Sequence, residues 1–146
     1  MNLHKNNARS DIQLERMNLA ENLKLCPFCS KGLIQIHKAP IEKETEAFFV
    51  TKNVFPYEGT RVHLLIIPKE HISTIADIAP KHWIEIGELF QWIVKKENLD
   101  AGALFVRFGN MHKTGSSIEH LHFQIISGTK TDEEDSEGLK VKLGYK

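Results

Sequence analysis

The chain has 146 residues, 41% of them hydrophobic and 26% charged, and its 19 lysines and arginines equal its 19 aspartates and glutamates. That length suits one globular domain around one core, and the composition excludes a disordered, collagen-like or fibrous chain. Zero net charge argues against a broad grip on a nucleic acid backbone, so any phosphate recognition must be local.

Residues 1–9 are polar and read as a frayed end. Residues 10–23 read as a helix: Ser10 can cap it, Asp11 suits its positive end, and no Pro or Gly interrupts it. After the turn at Cys26-Pro27-Phe28-Cys29, residues 33–37 and 47–52 are rich in β-branched and aromatic side chains and read as strands on either side of Ala39-Pro40. Residues 62–67 form the most apolar strand, stopped by Pro68. Pro80 opens a long helix with Trp83, Ile86, Gly87, Phe90, Ile93 and Val94 at spacings of three and four and Lys95-Lys96 in its last turn. Residues 103–108 read as a strand, 109–115 as a loop, and 118–127 as a strand with His120, His122 and Gln124 on one face. The segment 129–146 carries the acidic run Asp132-Glu133-Glu134-Asp135 and reads as a mobile tail, although Leu139, Val141, Leu143 and Tyr145 alternate and could add an edge strand. The order implies one α+β domain over residues 1–146: a five-stranded antiparallel sheet, an N-terminal helix and the helix after Pro80. No apolar run approaches the roughly 18 to 20 residues of a membrane helix, and the N-terminus does not resemble a secretory signal. A cytoplasmic protein with neither nucleic acid nor membrane as partner is expected.

Eight histidines and two cysteines spaced by two residues need an explanation. A redox dithiol would want a helix directly after its first cysteine, and the β-like run toward Pro40 leaves no room for one. A zinc finger would want a histidine pair roughly 12 to 15 residues downstream, which the chain lacks. Two buried thiols, or a zinc site completed by two distant histidines, remain, and the zinc site accounts for more of the pattern. Further on, Gly115-Ser116-Ser117 offers backbone N–H groups and hydroxyls in a tight turn suited to phosphate. His120, His122 and Gln124 follow on one strand face, which would also fit a solvent-facing polar edge. Together the two features suggest a phosphate held beside an imidazole.

These residues resemble the histidine triad family. The likeness rests on His120-Leu121-His122-Phe123-Gln124-Ile125-Ile126, on Val62-His63-Leu64-Leu65-Ile66-Ile67-Pro68-Lys69-Glu70-His71-Ile72, and on Cys26 and Cys29, which match the paired cysteines of zinc-bearing members. Most members carry a third histidine where this chain has Gln124, as does the branch resembling galactose-1-phosphate uridylyltransferase and some diadenosine tetraphosphate phosphorylases. Glutamine can donate a hydrogen bond to a phosphate oxygen but cannot deliver a proton, so it suits a leaving group that departs as a stable phosphate.

The resemblance implies that His122 attacks the α-phosphorus of a nucleotide and becomes covalently nucleotidylated, with His63 and Gln124 at the reacting phosphate. It implies a structural zinc ion held by Cys26, Cys29, His71 and His120. Asn53 would hold the ribose; Asn110, Gly115, Ser116 and Ser117 would contact phosphate; Ile34, Ile36 and Phe49 would wall the base or belong to the core. His63 could equally be a core histidine at a strand edge, and His112 and Lys113 a solvated loop. His4, His37 and His82 carry no signal. The expected activity is a hydrolase or nucleotidyltransferase acting on a dinucleoside polyphosphate, nucleoside phosphoramidate or nucleotide sugar. An adenine nucleotide is the default partner, and the family leaves a homodimer open. A zinc-stabilised nucleotide-binding module without efficient turnover is the alternative.

Overall fold

Five strands build the centre of the molecule: β1 (Ile41–Glu44), β2 (Phe48–Lys52), β3 (Thr60–Pro68), β4 (Ala103–Val106) and β5 (Phe123–Gly128). In this computed structural model, which describes residues 3–129 and 137–146, they form one antiparallel sheet in the order β1-β2-β3-β5-β4. The architecture is α+β, as the element order implies. No helix among the described residues is long and apolar enough to cross a membrane.

Alternation along β3 and β5 divides the sheet into two faces. Val62, Leu64 and Ile66 of β3 join Phe123 and Ile125 of β5 in a core with Ile86, Leu89 and Ile93 of helix α3 (Pro80–Lys96). Pro80 at the first turn and Lys95 and Lys96 at the last bound α3 as the sequence predicts. On the other face, His63, Leu65 and Ile67 alternate with that set, and Leu65 and Ile67 pack with Phe28, Leu33 and Phe49 in a smaller cluster. Each fully buried aliphatic or aromatic side chain contributes roughly 1.5–3 kcal/mol. The α3 face, with twelve buried members against five, therefore supplies most of the hydrophobic stabilisation. Helix α1 (Asp11–Leu23), capped by Ser10 accepting from the Gln13 N–H, covers the second face with Gln13, Met17 and Ala20.

Residues 33–37 are not a strand. Ser30–Gly32 forms one helical turn, α2, and Leu33–His37 continues it as a π-turn ending at the left-handed Lys38. The buried positions Leu33, Ile36 and His37, with Ile34 and Gln35 exposed, follow a helical period. The strand expected over residues 118–127 begins only at Phe123. The β3–β5 ladder ends at the pair Ile66↔Phe123, and continuing the register would set Leu121 opposite Pro68, which has no N–H to donate. The Leu121 N–H turns instead to the Ile72 carbonyl at 2.8 Å.

Residues 3–9, read above as a frayed end, pair with the segment before β5: Leu3 bridges Ile118, His4 N–H donates to Ser117, and Asn7 Nδ2 donates to the Ser116 carbonyl at 2.7 Å. The alternating residues 139–145 form no strand; they run across the second face, where Arg107 donates to the Lys142 carbonyl and Tyr145 Oη to Asn7 Oδ1. The acidic run Asp132 to Asp135 lies outside the described residues.

A Cβ on Gly32 would coincide with the Cys26 carbonyl, a backbone atom that cannot yield without opening the Cys26–Cys29 turn. Gly32→Ala is expected to destabilise the protein by about 3 kcal/mol or more, read as a lowered urea midpoint.

Candidate functional site

The turn at Cys26–Cys29 is closed by the Cys29 N–H donating to the Cys26 carbonyl, which presents both thiols on one side. Two histidines meet them from distant parts of the chain. His71 follows β3, with Nδ1 3.3 Å from Cys29 Sγ; His120 precedes β5, with Nδ1 3.5 Å from both sulfurs. The four ligand atoms lie within 4.8 Å of one another. Tetrahedral zinc with bonds of about 2.0–2.3 Å places neighbouring ligands roughly 3.3–3.8 Å apart; the three sulfur–nitrogen separations fall in that range, and the widest pair in the cluster lies beyond it. The chemistry of the donors fits as well. His120 Nε2 lies 2.8 Å from the Pro68 carbonyl, which can only accept, so the ring proton sits on Nε2 and Nδ1 offers its lone pair to the cysteines. Burial lowers His120 to a pKa of about 4, keeping the ring neutral.

Both cysteines are free thiols. Residues 30–37 are helical, contrary to the expectation that no room existed for a helix, but this helix starts after the second cysteine and not after the first, where a redox dithiol would want it. The electrostatics also oppose that use: burial pushes the Cys26 thiol up to about 12, whereas a reactive dithiol needs a depressed value. A thiolate here requires a cation beside it.

Next to this cluster lies a cavity of about 600 Å³ whose wall includes His122, Gln124, Asn53, Gly115, Ser116 and Ser117. His122 is only 9% exposed, so that cavity is its access to a ligand. Its Nδ1 lies 2.9 Å from the His120 carbonyl; the proton is therefore on Nδ1, and Nε2 carries the lone pair. Burial, with smaller contributions from Arg107, His120 and His63, lowers His122 to about 4. Phe28, from the cysteine turn, packs edge-on against the ring at 4.9 Å.

His63 and Gln124 are diagonal neighbours on the same sheet face, since His63 pairs with Ile126 and Gln124 with Leu65. The Tyr57 N–H donates to His63 Nδ1, so the proton lies on Nε2, which donates to Gln124 Oε1 at 2.8 Å. Asn53 Oδ1 accepts from the Phe55 N–H, which turns its amide nitrogen to within 3.1 Å of His63. His63 is thus bonded on both ring nitrogens, and burial lowers it to about 4.

The phosphate-loop residues separate. Ser116 Oγ donates to the Ile118 carbonyl at 2.8 Å, while Ser117 Oγ accepts from Gln13. Gly115 is left-handed, with φ 81°, and its missing side chain makes room for Lys142, which a Cβ there would meet. Asn110 is not on this cavity: its side chain caps helix α4 (Met111–Thr114) by accepting from the His112 N–H, and it borders a separate hollow with His4 and His112. Of the residues read as walling the base, Ile36 lines the cavity, Ile34 is exposed, and Phe49 belongs to the second core cluster. Sequence reasoning passed over His37, buried on the cavity wall with Nε2 3.1 Å from Thr51 Oγ1, as well as Arg9, Arg16, Tyr57 and Arg107. The helical period of residues 33–37 could have flagged His37; the others carried no local signal.

Residues 26–138 match the family model described as scavenger mRNA decapping enzyme C-term binding. An uncharacterised HIT-like protein of Chlamydia trachomatis is 35% identical over 88 residues, 58% of this chain and 77% of the relative. Among solved structures, a HIT family hydrolase from Clostridium thermocellum superposes with a TM-score of 0.59 at 25% identity, covering 76% of this chain and 96% of the other. A zinc-bound histidine triad family protein from Mycobacterium smegmatis does so at 0.53 and 20%, covering 79% and 81%. With residues 26–138, the greater part of its length, matched by that family model, the chain belongs to the histidine triad family.

Proposed function

We propose that the protein is a nucleotide-binding histidine triad enzyme, a hydrolase or nucleotidyltransferase acting at the α-phosphate of a nucleotide through a covalent nucleotidyl-His122. The observation that carries this reading is the single hydrogen bond from His122 Nδ1 to the His120 carbonyl, made by a neutral ring on the wall of a cavity. It leaves one lone pair, on Nε2, as the nucleophile. In the first step an Nε2–P bond forms as the P–O bond to the leaving group breaks, and the bonding pair departs on that oxygen. An acceptor, water or phosphate or a sugar phosphate, then attacks phosphorus as the N–P bond breaks and its pair returns to Nε2; a phosphate oxyanion attacks without losing a proton, and water releases one to solvent. Asn53 would hold the ribose, and Ser116 and Ser117 the phosphate. The hydrolase named among the structural neighbours supports this class of chemistry.

Gln124 has no proton to transfer, so it orients a phosphate oxygen and suits a leaving group stable as an anion, as in the uridylyltransferase-like and phosphorylase-like branch. That same lack favours a second reading, a zinc-stabilised nucleotide-binding module without efficient turnover. Cys26, Cys29, His71 and His120 would hold zinc as a closed four-ligand site, which fixes the cysteine turn against the strands and gives the metal no open position.

Intact-mass analysis after exposure to diadenosine tetraphosphate, ADP-glucose and adenosine phosphoramidate, quenched in alkali, decides between the two readings. A nucleotidyl adduct that His122→Ala abolishes, with turnover down at least about a thousandfold, is expected. Nucleotide affinity without an adduct leaves only the binding module. The labelling rate should stay flat from pH 8 to about 5 and fall toward pH 4, because the nucleophile is the neutral ring and burial lowers it to about 4. A midpoint near 6.5 would mean an exposed imidazole. Elemental analysis should find one zinc per chain, and chelation or Cys26→Ser should lower Tm by about 10 °C.

A further inference from the structure

Two guanidinium groups share one aromatic ring in the cavity. Arg9 lies over the Tyr57 ring with its guanidinium carbon 4.2 Å from the centroid, and Arg107 approaches the same ring at 5.8 Å while Nη1 donates to Tyr57 Oη at 2.8 Å. Tyr57 is buried and its ring lies 4.7 Å from that of His63, which holds Gln124. The pair therefore stands beside the groups that would meet the reacting phosphate.

Among the described residues no carboxylate pairs with Arg9 or Arg107; the ion pairs are lysines with glutamates. Their polar partners are the carbonyls of Phe55 and Lys142 and the Tyr57 hydroxyl. Burial holds Arg9 below the ordinary arginine value against the opposing effect of Tyr57, and the charge of Arg107 adds to the lowering, so the two charges stand partly desolvated and repel one another. Pinning a loop or a terminal segment needs only a neutral donor such as glutamine; a second cation on the same ring costs free energy unless an anion joins it. The chain as a whole is neutral, so this is local enrichment and not a share of a basic surface. Lys140 and Lys142 border the same cavity from the C-terminal segment.

We infer that Arg9 and Arg107, clamped on Tyr57, form an anion subsite for the group beyond the α-phosphorus, so that the substrate is a nucleotide phosphoanhydride and its leaving group a phosphate chain or sugar phosphate. This rests on the nucleotidyl-His122 reading and deepens it. As the Nε2–P bond forms, the P–O bond to the bridging oxygen breaks and its electron pair stays on that oxygen, which gains one negative charge. Nδ1 keeps its proton and no acid is consumed. The two guanidinium groups receive the new charge, which is why Gln124 suffices where a proton donor would otherwise stand.

The test is binding to the zinc-loaded protein of AMP and of α,β-methylene-ADP, whose bridge cannot be cleaved at the α-phosphorus. The wild type should bind the diphosphate about tenfold or more tightly than AMP, with a steeper salt dependence. Arg9→Gln and Arg107→Gln should each reduce that ratio below about threefold, and Arg107→Lys should restore part of it. A wild-type ratio near one, or a ratio kept by both glutamine variants, overturns the subsite. Should Arg107→Gln melt early, the wild-type ratio and Arg9→Gln decide. Labelling of His122 by diadenosine tetraphosphate against ADP-glucose in the same variants tells a phosphate chain from a sugar phosphate by which rate falls more. Absence of any His122 adduct would sink the covalent reading while the binding ratio still judges the subsite.

Discussion

One residue ties the two clusters of this protein together. His120 donates from Nε2 to the Pro68 carbonyl, presents Nδ1 to the cysteines, and accepts at its own carbonyl from His122 Nδ1. A neutral imidazole has one N–H, so each bond to a carbonyl dictates which nitrogen keeps a lone pair. His120 and His122, two residues apart, are thereby fixed in opposite tautomers, and each aims its lone pair toward its own site. Both settings depend on main-chain carbonyls, which do not titrate, and burial keeps both rings neutral to about pH 4.

The two sheet faces bear this load unequally. The α3 face holds a continuous apolar core, whereas the opposite face carries His63, Thr51 and Gln124 among its buried residues and has only five members in its apolar cluster. Its polar groups are satisfied in chains: His37 with Thr51, whose hydroxyl donates to the Pro40 carbonyl, and Tyr57 with His63 and Gln124. Such networks order side chains, but each bond adds only about 1 kcal/mol net. The cysteine turn contributes just Phe28 and Leu33 to that cluster, with Cys26 packed beside them. A metal ion held by the four ligands would offset what this face lacks in hydrocarbon; through Phe28 the cysteine turn packs against His122 from the side.

How far the sequence could be read follows from how local each signal was. The helix after Pro80 and the strand before Pro68 were legible because a start or stop residue and an apolar period agreed in one window. That Cys26, Cys29, His71 and His120 come together was legible because these residue types are rare and their motif spaces them. Residues 33–37 misled because the alternation Ile34-Gln35-Ile36-His37 has the period of a strand, whereas the helical turn buries Leu33, Ile36 and His37 and leaves the apolar Ile34 exposed. Arg107 shows the other limit. It lies two residues beyond Phe105, which pairs with Gln124 across β4 and β5, so period-two alternation places it on the functional face. Knowing that pairing is what single-sequence reasoning lacks. Arg9 was hidden in a segment tied to distant partners, Ser117 and Ile118 among them, as well as to its own local turn.

The suitability of glutamine at position 124 follows from its neighbour. His63 must accept the Tyr57 N–H at Nδ1, so its Nε2 proton points at position 124, and whatever stands there must accept it. A histidine at 124 would use one ring nitrogen as that acceptor and carry its only proton on the other, a proton it could surrender to a leaving group. Glutamine accepts with Oε1 and retains an amide N–H₂ that donates at any pH and never departs. Among the described residues, Gln124 and its neighbours offer hydrogen bonds beside His122, Arg9 and Arg107 offer charge, and burial keeps His63 and His122 from exchanging a proton near neutral pH. A displacement that needs protonation would stall in such surroundings, while one that expels a stable oxyanion would find its developing charge already matched. The glutamine and the arginine pair are two expressions of one electrostatic solution.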